Sequence, residues 1–221
     1  AYVDAGATAL DNVDGDITAN IITVNPVDTG VPGVYVVTYN VSDAAGNAAD
    51  EVTRTVTVED TLPPVITLLG SASVTVECGA AYVDAGATAS DVCAGDLTGA
   101  IVVVNPVNTA VPGVYNVTYN VSDPEGNAAL AVTRTVTVSD TTPPVITLLG
   151  SANVTVECGG AYVDAGATAL DACDGNLTSA IVTVNPVNPG SPGVYIVTYN
   201  VSDAAGNPAV QVSRTVTVAD T

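Results

Sequence analysis

GVYVVTYNVSDAAGN, residues 33–47, decides the fold. Its alternation puts Tyr35, Val37, Tyr39 and Val41 on one face and Val34, Val36, Thr38 and Asn40 on the other, which is the period of a strand and not of a helix. SDAAGN then reads as a tight turn: Asp43 opens it and Gly46 supplies a positive φ, so that the next strand, TRTVTV from Thr53, folds back as a hairpin. The stretch returns as GVYNVTYNVSDPEGN at 113–127 and as GVYIVTYNVSDAAGN at 193–207.

Outward from it the whole chain repeats every 80 residues. AYVDAGATA begins at Ala1, Ala81 and Ala161, and the Arg-Thr-Val-Thr-Val run recurs at Arg54, Arg134 and Arg214. The expected units are 1–60, 61–140 and 141–221, the first lacking what TLPPVITLLGSASVTVECGA (61–80) supplies to the second. Those strands are either cut away by excerpting a longer array or donated by a neighbouring molecule. With three copies of each later strand, two of the opening segment and no spare donor after Asp220, identical copies cannot complete one another, which favours an excerpt. Within a complete unit the segments VITLLG, VTVEC, ATALD, AIVTVNPV, GVYIVTYNVSD and AVQVSRTVTV are short, rich in Val and Thr, and bounded by Gly, Pro, Asn or Asp. About seven short strands in 80 residues predict an all-β protein whose repeats are small β-sandwiches.

The GVYxVTYNVSDxxGN stretch with its TRTVTV partner, the DTTPPVITLLG opening and the YVDAGATAxD core resemble the tandem bacterial immunoglobulin-like repeats of secreted and surface adhesins and extracellular fibres, a group similar to hyalin repeats. The resemblance covers the whole chain and implies tandem immunoglobulin-like β-sandwich domains arranged end to end in an extracellular or cell-surface stalk or filament, stiffened by calcium at the junctions between repeats. Gly33-x-Tyr35-x-Val37 also matches the tyrosine corner of such sandwiches, with Val where antibody domains place Cys.

Composition narrows the function. The chain is 48% hydrophobic, built on Val, Ala, Ile, Leu and nine Tyr, with no Phe, Trp or Met. The balance of 23 acidic residues against three Arg and no Lys gives a net charge of −20, which excludes a phosphate-binding surface and hence nucleic acid, and argues against docking on anionic lipid. No apolar run is long enough to insert in a membrane. Without His or Lys, no Ser/His/Asp or Cys/His nucleophilic arrangement can be assembled, and the expectation is that the chain is not an enzyme. Expected partners are copies of itself, end to end and through open Val/Thr edge strands. The competing reading is an adhesive module for glycan or a cell-surface receptor, or an accessory module of a larger secreted enzyme.

Cys78 and Cys93 lie 15 residues apart, as do Cys158 and Cys173. Disulfides within the unit, disulfides between molecules and free thiols all fit. The expectation is Cys78 with Cys93 and Cys158 with Cys173, each closing a loop worth about 3 kcal/mol. The acidic loops form the candidate ligand site. The loop after ATALD carries Asp11, Asp14 and Asp16, matched by Asp91 and Asp96 and by Asp171 and Asp174. The hairpin supplies Asp43, Asp123 and Asp203, and the linkers supply Asp60 and Asp140. Oxygen ligands converging from a linker and two loops suit a structural Ca²⁺. Turn capping by the same aspartates is the alternative, because Asp14 becomes Ala94 and Asp16 becomes Asn176.

Overall fold

The computed structural model describes residues 1–220; Thr221, the last residue of the expected third unit, lies outside them. The first repeat contributes β1 (Leu10–Asp11), β2 (Gly15–Asp16), β3 (Ile22–Val24), β4 (Gly33–Asn40) and β5 (Val52–Val58). The second adds β6 (Val65–Leu68), β7 (Ser73–Glu77), β8 (Ala87–Asp91), β9 (Gly95–Asp96), β10 (Val102–Val104), β11 (Gly113–Asn120) and β12 (Val132–Ser139). The third repeats that set as β13 (Val145–Leu148), β14 (Asn153–Glu157), β15 (Ala167–Asp171), β16 (Gly175–Asn176), β17 (Val182–Val184), β18 (Gly193–Asn200) and β19 (Val212–Ala219). The helical content described is three 3₁₀ turns, at Thr18–Asn20, Thr98–Ala100 and Thr178–Ala180.

Contacts group the chain into two compact units, one of residues 1–69, 86–103 and 119–132, the other of 70–85, 104–118 and 133 onward. The third repeat, wholly in the second unit, shows the architecture best. One sheet has the order β13-β15-β16 and the other β14-β19-β18-β17. The opening segment therefore serves both sheets: β13 pairs antiparallel with β15, whereas β14 pairs parallel with β19. Gly150, at φ 73°, makes the change of direction between them, a conformation that Gly adopts without a Cβ clash. Ile146, Ala169, Val197, Tyr199 and Val216 meet between the sheets, all nearly or fully buried.

The alternation read from the sequence holds. Val37 and Tyr39 are buried while Val34 and Val36 are exposed. The hairpin is closed by Gly46 N–H donating to Asp43 O (3.1 Å), with Gly46 at φ 89°. The tyrosine corner is present in every repeat: the hydroxyls of Tyr35, Tyr115 and Tyr195 donate to the backbone oxygens of Val31, Val111 and Ser191 at 2.8, 2.9 and 2.9 Å.

The cysteine pairing differs from expectation. Cys78 is bonded to Cys173, joining the second repeat to the third across 95 residues with the Cα atoms 5.4 Å apart, and Cys93 and Cys158 are free. The reason lies in the parallel pairing of β14 with β19. In the third repeat that pairing carries Cys158 to the end of the last strand, where its N–H donates to Ala219 O (2.8 Å). Cys173 sits in the β15–β16 turn beside the incoming linker residue Asp140. The two cysteines of one repeat thus occupy opposite ends of the sandwich, and Cys78 meets the turn cysteine of the repeat that follows. Gly79, at φ 78°, lies so close to this turn that a Cβ would stand 3.3 Å from Ala172 O.

Candidate functional site

Each linker aspartate is drawn into the end of the repeat it enters. In the first unit, Asn127 in the β11–β12 hairpin donates its Nδ2 to Asp60 O (3.1 Å) and to Asp123 Oδ2 (2.8 Å). In the second unit, Asn207 does the same to Asp140 O (3.2 Å) and Asp203 Oδ2 (2.8 Å). The hairpin side chain therefore holds the linker backbone, and the linker carboxylate comes to lie among those of the turn and hairpin.

Four groups result, each with one ligand atom per residue and all such atoms within 4.8 Å of one another: Asp60, Asp91 and Cys93; Asp60, Asp123 and Glu125; Asp140, Asp171 and Asp203; and Asp140, Cys173 and Asp174. Asp60, Asp123 and Asp203 are only 8%, 6% and 8% exposed. Asp60 Oδ1 accepts from Leu62 N–H (3.2 Å), and Asp171 Oδ1 accepts from Cys173 N–H (2.7 Å) and Asp174 N–H (2.8 Å). Asp60 Oδ2 and Asp171 Oδ2 are buried with no donor among the described residues. Asp91 lies against Asp60, so that two carboxyl groups meet at this buried position.

The electrostatics agree. Burial, followed by the nearby charge of Asp171, with Asp203 and Asp174 adding to it, raises the Asp140 carboxyl above the usual range despite a backbone hydrogen bond from Thr142. Burial, then Asp60 and Asp91, pushes the Cys93 thiol up, so that sulfur stays protonated. Cys173 is held in the disulfide. The usable ligands are therefore oxygens, which suit hard cations, and spacings up to 4.8 Å match oxygens placed about 2.3–2.6 Å from a shared Ca²⁺. These acidic clusters can hold a metal ion.

The structure brings Asp60, Asp91, Asp123, Asp140, Asp171, Asp174 and Asp203 into such groups, but not the other expected residues. Asp16 and Asp96 cap their turns, each accepting from a Thr N–H at 2.9 Å. Asp11 accepts from Val13 and Asp14 N–H, and Asp43 from Asn47. Asp14 reaches the hairpin at Ala44 N–H (2.8 Å), as Asp174 does at Ala204 (2.6 Å). Sequence reasoning missed Glu125, which stands in the one hairpin that reads PEGN. It also missed Glu77, whose carboxylate takes the N–H and hydroxyl of both Thr141 and Thr142 at 2.7–3.1 Å and so fastens the second linker to β7.

A second polar assembly lies inside the repeats. Arg214 is 1% exposed and ion-paired with Asp164. Its Nε donates to Ser151 O (2.9 Å), Nη1 to the Tyr199 hydroxyl (3.0 Å), and Nη2 to the oxygens of Leu149 and Gly166. Tyr199 donates in turn to Asp164 (2.7 Å). One guanidinium thus ties β19 to the bend between β13 and β14 and to the 162–166 loop. Arg54 makes the same pair with Asp4 but is 36% exposed. The Arg-Thr-Val-Thr-Val alternation carried the signal, since Arg214 shares a face with buried Val216 and Val218.

A family model described as "Bacterial surface protein, Ig-like domain" matches residues 1–58, 66–138 and 146–218. The chain belongs to this family. As a bacterial surface Ig-like protein it is extracellular or displayed at the cell surface, and no helix among the described residues is long and apolar enough to cross a membrane. It is similar to hyalin from Lytechinus variegatus, 35% identical over 221 residues (96% of this chain, 41% of that protein), and to hyalin from Strongylocentrotus purpuratus, 34% identical over 213 residues (90% and 18%). It is also similar to the pesticidal crystal protein Cry22Aa of Bacillus thuringiensis, 31% identical over 226 residues (94% and 29%). The chain spans less than half the length of each of these relatives. Among solved structures, the M60 catalytic domain with CBM51-1 and CBM51-2 of Clostridium perfringens ZmpB gives a TM-score of 0.40 at 16% identity, covering 88% of this chain and 34% of that one. The fibronectin(III)-like modules of Clostridium thermocellum CbhA give 0.27 at 10%, covering 90% and 94%.

Proposed function

We propose that this chain is a non-catalytic structural spacer of the bacterial surface, a stalk or filament segment whose consecutive repeats are locked in line by Ca²⁺ at each linker. The observation that carries the reading is Asp60: a linker carboxylate 8% exposed, with one oxygen lacking any donor, set among Asp91, Asp123 and Glu125. Uncompensated carboxylates at that depth are costly, and a divalent cation offsets both the repulsion and the missing hydrogen bond. Asp140, Asp171, Asp203 and Asp174 give the second linker the same chemistry. A cation shared by linker, turn and hairpin removes the freedom of the joint, so a string of repeats becomes a rod. Self-association end to end extends the rod, and the uniform repeats, with no exposed aromatic cluster among the described residues, favour a spacer over a glycan-binding module.

The test is thermal unfolding and small-angle scattering in chelator and in 2 mM Ca²⁺. With a Kd of about 10⁻⁴ M, in the range of extracellular calcium modules, the metal adds about 1.8 kcal/mol per site and raises Tm. Asp60→Asn removes the shift at the first linker, and scattering reports a longer, stiffer particle with calcium than without. Identical Tm and scattering curves in both buffers would refute the proposal.

A further inference from the structure

The second linker brings sulfur as well as oxygen to its junction. Cys173 Sγ lies within 4.8 Å of carboxylate oxygens of Asp140 and Asp174, and Cys78 Sγ is bonded to it. Two sulfurs and two carboxylates therefore meet here. Both cysteines are also held by bonds other than the one between their sulfurs. Cys78 N–H donates to Ser139 O (2.8 Å) and Gly79 N–H to Thr109 O (2.8 Å), which fixes the chain at the end of β7. Cys173 N–H and Asp174 N–H both donate to Asp171 Oδ1 (2.7 and 2.8 Å), which fixes the β15–β16 turn. Asp140 is held through its carbonyl by Asn207 (3.2 Å), and the linker just after it by the Glu77 carboxylate. Breaking the S–S bond leaves all of these in place. Asp171 Oδ2, buried without a donor among the described residues, and Asp203, 8% exposed, stand beside the same Asp140. Carboxylates gathered at that depth favour a dication.

We propose that reduction of the Cys78–Cys173 bond turns the second linker into a zinc site, with the two thiolates, Asp140 and Asp174 as its four ligands. A reductant of the phosphine class gives the disulfide two electrons and takes the oxygen of one water, whose two protons go to the sulfurs. The products are two thiols and one phosphine oxide. Zn²⁺ then displaces both thiol protons to the buffer as two Zn–S bonds form. Ligands about 2.0–2.3 Å from a tetrahedral zinc stand about 3.3–3.8 Å apart. The sulfurs need only part to nonbonded contact, while the carboxylate oxygens close in from 4.8 Å or less. Thiolate sulfur suits zinc and not the hard Ca²⁺, so the redox state selects the class of metal. Cys78 belongs to the second repeat and Cys173 to the third, and the zinc keeps the two repeats cross-linked in a medium that removes their disulfide. This inference does not rest on calcium binding.

The experiment uses the 221-residue chain with Cys93→Ser and Cys158→Ser, so that one cysteine pair remains. The chain is reduced with a phosphine under anaerobic conditions, freed of reductant, and titrated with Co²⁺ and then with Zn²⁺. The expected result is sulfur-to-cobalt charge-transfer absorption in the near ultraviolet that saturates at one Co²⁺ per chain. One equivalent of Zn²⁺ removes the band, a large excess of Ca²⁺ does not, and the oxidised chain never shows it. Asp174→Asn keeps an oxygen for the Ala204 N–H and so leaves the turn intact, yet weakens Zn²⁺ binding at least tenfold, as does Asp140→Asn. The reduced chain unfolded in urea binds Co²⁺ at least tenfold more weakly than the folded one, which separates a built site from a mere pair of thiols. No charge-transfer band after reduction, equal affinity in urea, or Asp140→Asn and Asp174→Asn chains that bind Zn²⁺ as tightly as their parent would overturn the proposal.

Discussion

Replacing Cys173 with Ser separates the observed disulfide from the within-repeat alternative, because the two predict different losses at different positions. The bond spans 95 residues. In the chain-entropy model, closing a loop of that length costs the unfolded chain about 4.7 kcal/mol, whereas a 15-residue loop costs about 3. Cys173→Ser therefore lowers the stability measured by urea unfolding by about 4.7 kcal/mol if the joined repeats unfold together. If the third repeat unfolds alone, the mobile part of the loop is residues 141–173, and the loss is about 3.7 kcal/mol. Cys93→Ser loses none of this, although pairing within the repeat assigns it about 3. Connectivity is read directly by tryptic digestion. With Arg54, Arg134 and Arg214 as the cleavage sites, fragments 55–134 and 135–214 each contain two cysteines. The Cys78–Cys173 bond keeps the two fragments together until reduction. Fragments that separate without reductant, or a Cys93→Ser loss equal to that of Cys173→Ser, would refute the argument.

Asp164→Asn leaves the Arg214 guanidinium buried without its counter-charge and is expected to cost about 3–5 kcal/mol by chemical unfolding, with Arg214→Met less damaging in combination with it than the sum of the two single changes. The pH dependence has two opposing parts. At Asp164, burial acts to raise the carboxyl pKa, but hydrogen bonds from Tyr199 and Tyr162 and the charge of Arg214 outweigh it and the folded value falls. The folded state thus binds fewer protons there, and that stability is present above the unfolded pKa of about 3.9 and lost as pH falls through the folded value. Asp140 is raised, so the calcium-free fold gains at that group as pH falls toward its pKa. Tm measured against pH in chelator is expected to peak on the mildly acidic side and to fall steeply below pH 4, with 2 mM Ca²⁺ moving the peak upward. A profile that calcium leaves unmoved would contradict the assignment of Asp140.

Much of the fold was legible because it is written in two-residue alternation and turn chemistry. Tyr35 through Val41, the Asp43–Gly46 turn and the tyrosine corner depend on local sequence, and the structure keeps each of them. The disulfide was not legible for a reason peculiar to repeats. A partner 15 residues away and one 95 residues away occupy the same position in the 80-residue period, so spacing cannot tell the same copy from the next. The choice is made by the parallel pairing that sends the opening strand to the far end of the sandwich, a non-local fact. The carboxylate groups were half legible. Linker, turn and hairpin aspartates were foreseen to converge, but Asp16 and Asp96 were not separable from them, since capping a turn and pointing away from it use the same residue at the same place. Arg214 was legible in principle: its position two residues before Val216 marks an inward face, and a buried guanidinium demands the carboxylate that Asp164 supplies.

The Cys78–Cys173 bond also determines where tension runs. A pull along the chain reaches Cys78 and crosses directly to Cys173, so the intervening residues are excluded from the load while the sulfurs stay joined. At about 3.4 Å per extended residue, roughly 320 Å of chain is held in reserve. While the sulfurs stay joined that length cannot be drawn out, and reduction of this one bond releases it.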